Sequence, residues 1–424
     1  MAQVRFRSIV TPLHRGHALP RHQRLGALAH GLPSVAQAVA HHRPSEPMHC
    51  LRPRVLTETA RRFVASFAAD DIGGDVLYAV KCNPEPSVLR ALWAGGVRHF
   101  DVASPGEIRL MRSLFPKAEL HYMHPVKARP AIRAAYFQYA VRDFALDSLE
   151  ELSKIREETG EADDLGLMVR LAVPKGGALY DLSGKFGASP TKAMAILKAA
   201  RTVAPRVGLC FHVGSQCMDP GAYERALKLA GCVIEGAGVA VDVLDVGGGF
   251  PVSYPDVTPL PLKDFMAAVA RGLAVLDLPA GVKVWCEPGR ALVAQGVSLV
   301  VQVIKRRGRE LFINDGVYGS LSDAGAPAFR FPARLVRPQG SCDAPLQPFS
   351  FFGPTCDSAD FMAGPFLLPA DIQEGDWIEL GQLGAYGACL RTAFNGFDET
   401  RLVEVSDMPL LDTPGYNFRE ARAA

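Results

Sequence analysis

A lysine directly follows an apolar run in Tyr78-Ala79-Val80-Lys81-Cys82-Asn83. An amine at the end of a buried strand is desolvated, which lowers its pKa and readies it to attack a carbonyl carbon. The same segment also fits a surface lysine at a strand end. In Asp245-Val246-Gly247-Gly248-Gly249-Phe250-Pro251, backbone without Cβ atoms can bring N–H groups close to an anion. A tight turn with no ligand is the plainer alternative. The glycine spacing is not that of a dinucleotide fingerprint or a Walker loop, which disfavours nucleotide binding by those routes. Glu287-Pro288-Gly289-Arg290 joins a carboxylate that can hold a proton on a ring nitrogen to a guanidinium that can pair with phosphate. Alone, it fits a structural ion pair equally well. Phe211-His212-Val213-Gly214-Ser215 adds a flat imidazole and a hydroxyl, although a lone His there also fits a satisfied core residue.

These residues need a scaffold that gathers strand ends. Short β-rich runs recur at Val76–Val80, Arg98–Val102, Glu119–Met123, Tyr139–Phe144, Gly166–Ala172, Val207–Val213, Ala240–Val246 and Val282–Glu287. Segments long enough for helices separate them, including Glu85–Ala94, Ser104–Leu114, Ser148–Glu158, Pro190–Val203, Ala222–Ala237 and Lys263–Leu276. Eight strands alternating with helices is the pattern of an α/β protein built as a (β/α)8 barrel. An open doubly wound sheet is the rival. The chemistry decides between them. Lys81, Asp101, Arg170, His212, the glycine run and Glu287 all fall at or just after strand ends, where barrel active sites are built. Amine, ring-nitrogen partner, stacking ring and phosphate cradle together meet the needs of pyridoxal phosphate.

The rest of the chain sets the surroundings. At 424 residues, with 48 % apolar and 21 % charged residues, it is a globular chain too long for one ordinary domain. Residues 48–290 are expected to form the barrel and 291–424 an all-β domain, with strands at Val297–Ile304, Glu310–Ile313, Ala333–Val336 and Asp376–Leu380. The stretch near 49–56 is expected to return to that domain as a strand. Residues 1–47 read as a basic, mobile leader, with Met48 as a rival start: residues 1–45 hold six Arg and no acid. The remainder is slightly acidic, which offers no footprint for nucleic acid, and no run is apolar enough to span a membrane. Nine scattered Cys, with no C-x-x-C pair and no zinc spacing, fit a reducing cytoplasm and no metal site.

Eight motifs in order give the chain a family resemblance. Tyr78–Asn83, Phe100–Glu107, Leu182–Gly187, Phe211–Cys217, Asp245–Pro251, Glu287–Arg290, Gly353–Asp360 and Gly384–Tyr386 resemble those of the fold type III pyridoxal-phosphate decarboxylases. This group acts on ornithine, lysine, arginine or diaminopimelate. The resemblance spans roughly residues 48–400 and implies an alanine-racemase-like barrel followed by a β domain. By resemblance, Lys81 is the Schiff-base lysine, with Asp101 and Arg170 beside it. His212 would stack on the ring and Glu287 would pair with its nitrogen. Ser215, Gly247, Gly248, Gly249, Gly289, Arg290 and Tyr386 would surround the phosphate. Cys356 would return a proton to carbon after carbon dioxide leaves. Asp357, with Tyr318 and Asp323, would face the substrate's distal end. In this family Cys356 and Asp357 reach the site of the other subunit, which implies a homodimer with shared sites.

The resemblance further implies a cytoplasmic enzyme of polyamine synthesis that makes a diamine such as putrescine. Cys356-Asp357-Ser358 stands where the diaminopimelate branch usually has Cys-Glu-Ser, which leans toward ornithine, lysine or arginine; ornithine, with lysine also accepted, is the reading taken. One feature departs from the animal-type pattern. The second acid expected after Tyr318-Gly319-Ser320 falls near Pro327, leaving Asp323 as its substitute and Arg330 as a cation that would favour an anionic tail. Decarboxylation of diaminopimelate, arginine or a modified substrate, racemisation on the same fold, and a non-catalytic regulatory homologue are the competing readings. The Cys356 motif argues against racemisation, and the intact set of cofactor residues argues against a mute homologue.

Overall fold

The computed structural model describes residues 31–414, apart from 70, 175–176, 181–183 and 326. Helix α1 (Val35–His42) is closed by a Ser34–Gln37 capping box. Strand β1 (Met48–Leu51) follows, then helix α2 (Pro53–Phe67). Eight parallel strands come next: β2 (Asp75–Ala79), β3 (His99–Val102), β4 (Glu119–Tyr122), β5 (Asp143–Leu146), β6 (Gly166–Arg170), β8 (Arg206–Cys210), β10 (Val243–Asp245) and β11 (Lys283–Cys286). They close into a barrel in that order, β11 pairing back onto β2. The short pair β7 (Ala178–Tyr180) and β9 (Ser215–Cys217) lies outside it.

Helices between the strands start where the sequence offers a cap or a proline. Helices α2, α3 (Pro86–Ala94), α4 (Pro105–Leu114), α5 (Arg129–Phe137) and α7 (Pro190–Arg201) carry Pro in the first turn, where its missing N–H costs nothing. Ser148 caps α6 (Leu149–Glu158) by accepting from the Glu151 N–H. Ser104 caps α4 in the same way, accepting from the Glu107 N–H at 3.2 Å. That cap lies three residues beyond Asp101, so α4 fixes the mouth of the barrel there. Ser104→Ala is expected to lower stability by about 1 kcal/mol, measured from the midpoint of chemical denaturation, while Ser104→Asp retains it. An unchanged Ser104→Ala midpoint would show that Pro105 alone fixes the start.

Leu77, Met123, Ala145, Met168, Cys210, Val243 and Trp285 pack together along the barrel strands. Toward the strands' amino ends the packing turns polar. His99 Nδ1 meets His121 Nε2 at 3.0 Å, and His121 Nδ1 meets Asp143 Oδ2 at 2.8 Å. The active chemistry therefore has only the opposite, carboxyl end to occupy.

After α8 (Gly221–Ala237), α9 (Leu262–Ala274) and the single turn α10 (Arg290–Val293), the chain becomes a sheet of β12 (Val297–Arg307), β13 (Glu310–Ile313), β14 (Ala333–Val336), β15 (Leu346–Phe352), β16 (Phe361–Pro369), β17 (Trp377–Leu380) and β18 (Arg401–Glu404). Its order is β14-β17-β12-β13-β15-β16, and β1 pairs antiparallel with β12 and parallel with β18. Arg52, 1 % exposed, ties this crossing together by donating to Ser298 Oγ and Glu379 Oε1, both at 2.9 Å.

Several elements differ from the sequence pattern. Residues 1–30 and Leu182–Ser183 lie outside the described residues. Within the expected leader, Val35, Ala38 and Val39 of α1 are buried against Val300, Val336 and Val403. The strand near 49–56 ends at Leu51, because Pro53 starts a helix. Barrel strand β5 runs Asp143–Leu146, later than the Tyr139–Phe144 run, because α5 extends to Phe137 and a loop follows. Among the described residues, no helix is long and apolar enough to cross a membrane.

Candidate active site

Lys81 sits in the 3-10 turn Val80–Cys82 that ends β2, and its Nζ donates to Asp101 Oδ2 at 2.6 Å. Asp101, 2 % exposed, stands on the neighbouring strand β3, where it can reach only inward. The amine departs from the expected behaviour. Burial alone would lower its pKa, but the Asp101 and Glu287 carboxylates, with Tyr386, overcome this and hold it above the ordinary lysine value. Lys81 is therefore a cation in this state and becomes a nucleophile only after passing on a proton.

A further carboxyl near Asp101, Glu107, was not singled out by the sequence reading. Burial pushes the Glu107 carboxyl up to about 7, with the Asp101 charge adding to the shift and the Ala103 N–H and Lys81 opposing it. In the sequence it looks like an ordinary first-turn acid of α4. The only signal was its place six residues after Asp101.

His212 follows β8. The Gly214 N–H donates to its Nδ1 at 2.9 Å, which leaves the ring proton on Nε2. Burial, aided by the Arg170 and Lys81 charges, holds the imidazole well below its usual range, so the ring is neutral. The glycine run lies against it because no side chain fits. Gly247 has φ +68°, and a Cβ there would meet Phe211 O at 2.0 Å; one on Gly248 would meet Glu287 O at 2.5 Å. Backbone from three strand ends thus converges on one point.

Glu287 follows β11 and is 5 % exposed, with Oε1 lacking any hydrogen-bond partner. Burial, together with Asp245 and Asp101, raises its pKa well above the carboxylate range. Arg290 opens α10, donating to Tyr254 Oη at 2.8 Å and to Asp323 Oδ2 at 3.1 Å. The second domain reaches in from the other side: the Tyr386 N–H donates to Cys82 O at 3.0 Å, and Asn83 Nδ2 donates to Gly384 O at 2.8 Å. Tyr386 itself takes a left-handed φ of +55°.

One cavity of about 360 Å³ results, lined by Lys81, His212, Ser215, Gly249, Glu287, Gly289, Arg290 and Tyr386. Gly247, Gly248 and Asp101 back this lining. The half-buried Arg170, at the end of β6, acts on His212 and Glu287 by its charge.

The remaining predicted residues lie elsewhere. Cys356 is exposed, its N–H donating to Asn395 Oδ1 at 3.0 Å. Asp357 accepts from Tyr318 Oη and from the Ala359 N–H, and it borders an open groove with Phe352 and Phe397. None of Cys356, Asp357 and Tyr318 lines the Lys81 cavity. Asp323, expected at the substrate's distal end, ion-pairs with Arg290, because the short turn Ser322–Ala324 carries it there. Arg330 is likewise taken up by Asp256, at 2.7 Å, and offers no cation for an anionic tail.

Residues 55–294 match the family described as pyridoxal-dependent decarboxylase, pyridoxal binding domain. The chain belongs to that family. It is an amino-acid decarboxylase of the group acting on basic amino acids, and its cofactor is pyridoxal phosphate. It is 35 % identical over 343 residues to the lysine/ornithine decarboxylase of Selenomonas ruminantium, covering 79 % of this chain and 84 % of that one. It is 33 % identical to the ornithine decarboxylase of Panagrellus redivivus, covering 76 % and 78 %. Among solved structures, the lysine/ornithine decarboxylase of Vibrio vulnificus with cadaverine superposes with a TM-score of 0.74 at 32 % identity, covering 88 % and 97 %. The arginine decarboxylase of Paramecium bursaria Chlorella virus with agmatine gives 0.76 at 26 %, covering 88 % and 99 %.

The cavity fits this cofactor on its own terms. Glu287 Oε1 is a buried acceptor in want of a donor, which a protonated ring nitrogen supplies. The side-chain-free loop 247–249, with Arg290 and Ser215 on the same wall, suits a phosphate. His212 offers a neutral flat face, and Lys81 the amine.

Proposed function

We propose that the chain decarboxylates ornithine, and lysine as well, releasing the diamine, and that it does so as a homodimer with shared sites. The observation that carries the substrate is Asp357. Its carboxylate is fixed by Tyr318 and the Ala359 N–H, which lower its pKa, and among the described residues no cation pairs with it. A fixed, unpaired anion suits the distal ammonium of a diamino acid. The names of the relatives and the cadaverine, putrescine and agmatine in solved neighbours support that class.

The dimer reading follows from separation. Cys356 and Asp357 are outside the cavity that holds Lys81, so one chain lacks a complete site. Exposed Ile304, Phe361, Phe394 and Phe397, on the same domain as these two residues, supply apolar surface for a second copy.

When bound, pyridoxal phosphate supplies an aldehyde that bonds to amines and a ring that accepts the electron pair left by carbon dioxide. Arg290, Ser215 and the 247–249 backbone would hold its anionic end. Asp101 accepts from Lys81 Nζ and orients it, and Glu287 would hold a proton at the ring nitrogen. His212 would lie against the ring and exclude water there. Asp357 of the partner orients the substrate through its far amine. The partner's Cys356 delivers the Sγ proton to the carbon that has lost carbon dioxide.

Asp357→Asn is expected to raise KM for ornithine and lysine by on the order of tenfold, and less for a neutral analogue of equal length. Carbon dioxide release across a panel of L-amino acids measures it. If the neutral analogue suffers equally, Asp357 is not reading the amine.

A further inference from the structure

Asp245 ends β10 and is completely buried. Its Oδ1 accepts the Gly247 N–H at 2.8 Å, while its Oδ2 has no hydrogen-bond partner. Strand β11 lies alongside, and the Glu287 N–H donates to Gly247 O at 2.8 Å. The two side chains come within hydrogen-bonding reach of each other. Each carboxyl keeps one oxygen without a donor in a dry site. With no added cation against them, two such groups are not both ionised, and one proton lies between them.

We propose that Asp245 is a positioning residue that keeps one proton on the Asp245–Glu287 pair, ready for the ring nitrogen of the cofactor. The charges facing the pair make the count. Lys81 and Arg170 are cationic, and Asp101 is anionic. The neighbouring thiols Cys210 and Cys286 have their pKa values raised by burial and stay neutral. With one proton on the pair, two positive charges meet two negative ones. Were Glu287 to pass that proton to the ring nitrogen, a positive charge would appear on the ring and the pair would become doubly negative. The sum is unchanged, so no proton has to be drawn from water into the barrel. The directions agree: burial raises Asp245 to about 6, with the Gly247 N–H and Glu287 opposing, and also raises Glu287 well above the carboxylate range. The Gly247 N–H on Oδ1 stabilises charge on Asp245, which leaves the shared proton to Glu287.

This inference rests on the cofactor and not on the choice of substrate, so it is tested without substrate. Titration calorimetry of the cofactor-free full chain with pyridoxal phosphate, repeated in buffers of different ionisation enthalpy, counts the protons taken up on binding. Asp245→Asn places an N–H donor against Glu287, which then ionises before the ring arrives. The variant is expected to take up about one more proton than wild type at neutral pH. An equal count would overturn the proposal, since a merely structural Asp245 alters affinity but not proton number. If Asp245→Asn does not fold, the infrared difference spectrum of wild type with and without cofactor decides. Loss of a carboxylic-acid C=O band on binding supports the shared proton, and no change in that region refutes it.

Discussion

Mixing Lys81→Ala subunits with Cys356→Ala subunits is expected to restore about a quarter of the wild-type sites, although each variant alone is nearly inactive. Loss of Lys81 removes the one amine lining the cavity among the described residues, and with it the visible absorbance of the bound cofactor. Loss of Cys356 removes the proposed proton donor, with an expected defect of roughly 100-fold or more. Random pairing makes half of all dimers mixed. In each mixed dimer one site joins the intact Lys81 of one chain to the intact Cys356 of the other, and the second site has neither. The quarter follows from the proposed shared sites, in keeping with Cys356 being exposed and outside its own chain's Lys81 cavity. No recovery after verified subunit exchange would mean that each chain completes its own site, by a movement of the 353–360 loop.

The barrel was legible because its chemistry marks its strands. Lys81, Asp101, His212, the glycine run and Glu287 fall at or just after the ends of short apolar runs, and the closed ring of parallel strands brings those ends to one cavity. The second domain was less legible. Strands β15 and β16 carry Pro348, Gly364 and Pro365, residues that break a strand pattern. Pro348 is tolerated because β13 pairs with β15 only at Ser350–Phe352, which leaves the proline's other side free.

At the site, residue type predicted position but not charge state. Lys81 was expected to have a lowered pKa from burial, an inference that needs only the strand. The actual direction depends on Asp101 and Glu287, which come from distant parts of the sequence and meet only in the fold. Asp323 shows the same limit: its spacing from Tyr318 suggested the substrate, and its turn delivers it to Arg290.

Glu287 carries the other large effect. Glu287→Gln keeps the shape and a hydrogen bond but removes the carboxylate that holds a proton on the ring nitrogen. Without that proton the ring accepts the electron pair poorly, and the loss is felt only as carbon dioxide leaves. A preorganised charge of this kind in a water-excluded site contributes on the order of 100- to 1,000-fold to kcat. KM for the amino acid is expected to change little, because Asp357 and Lys81 are untouched and the lost interaction belongs to the transition state. Steady-state kinetics on ornithine and lysine, with the variant saturated in cofactor, give the split. A drop confined to KM would place Glu287 at the substrate instead of the ring. A kcat within threefold of wild type would mean that the ring needs no proton from this wall of the barrel, and the orphaned Oε1 would then have to find its donor elsewhere.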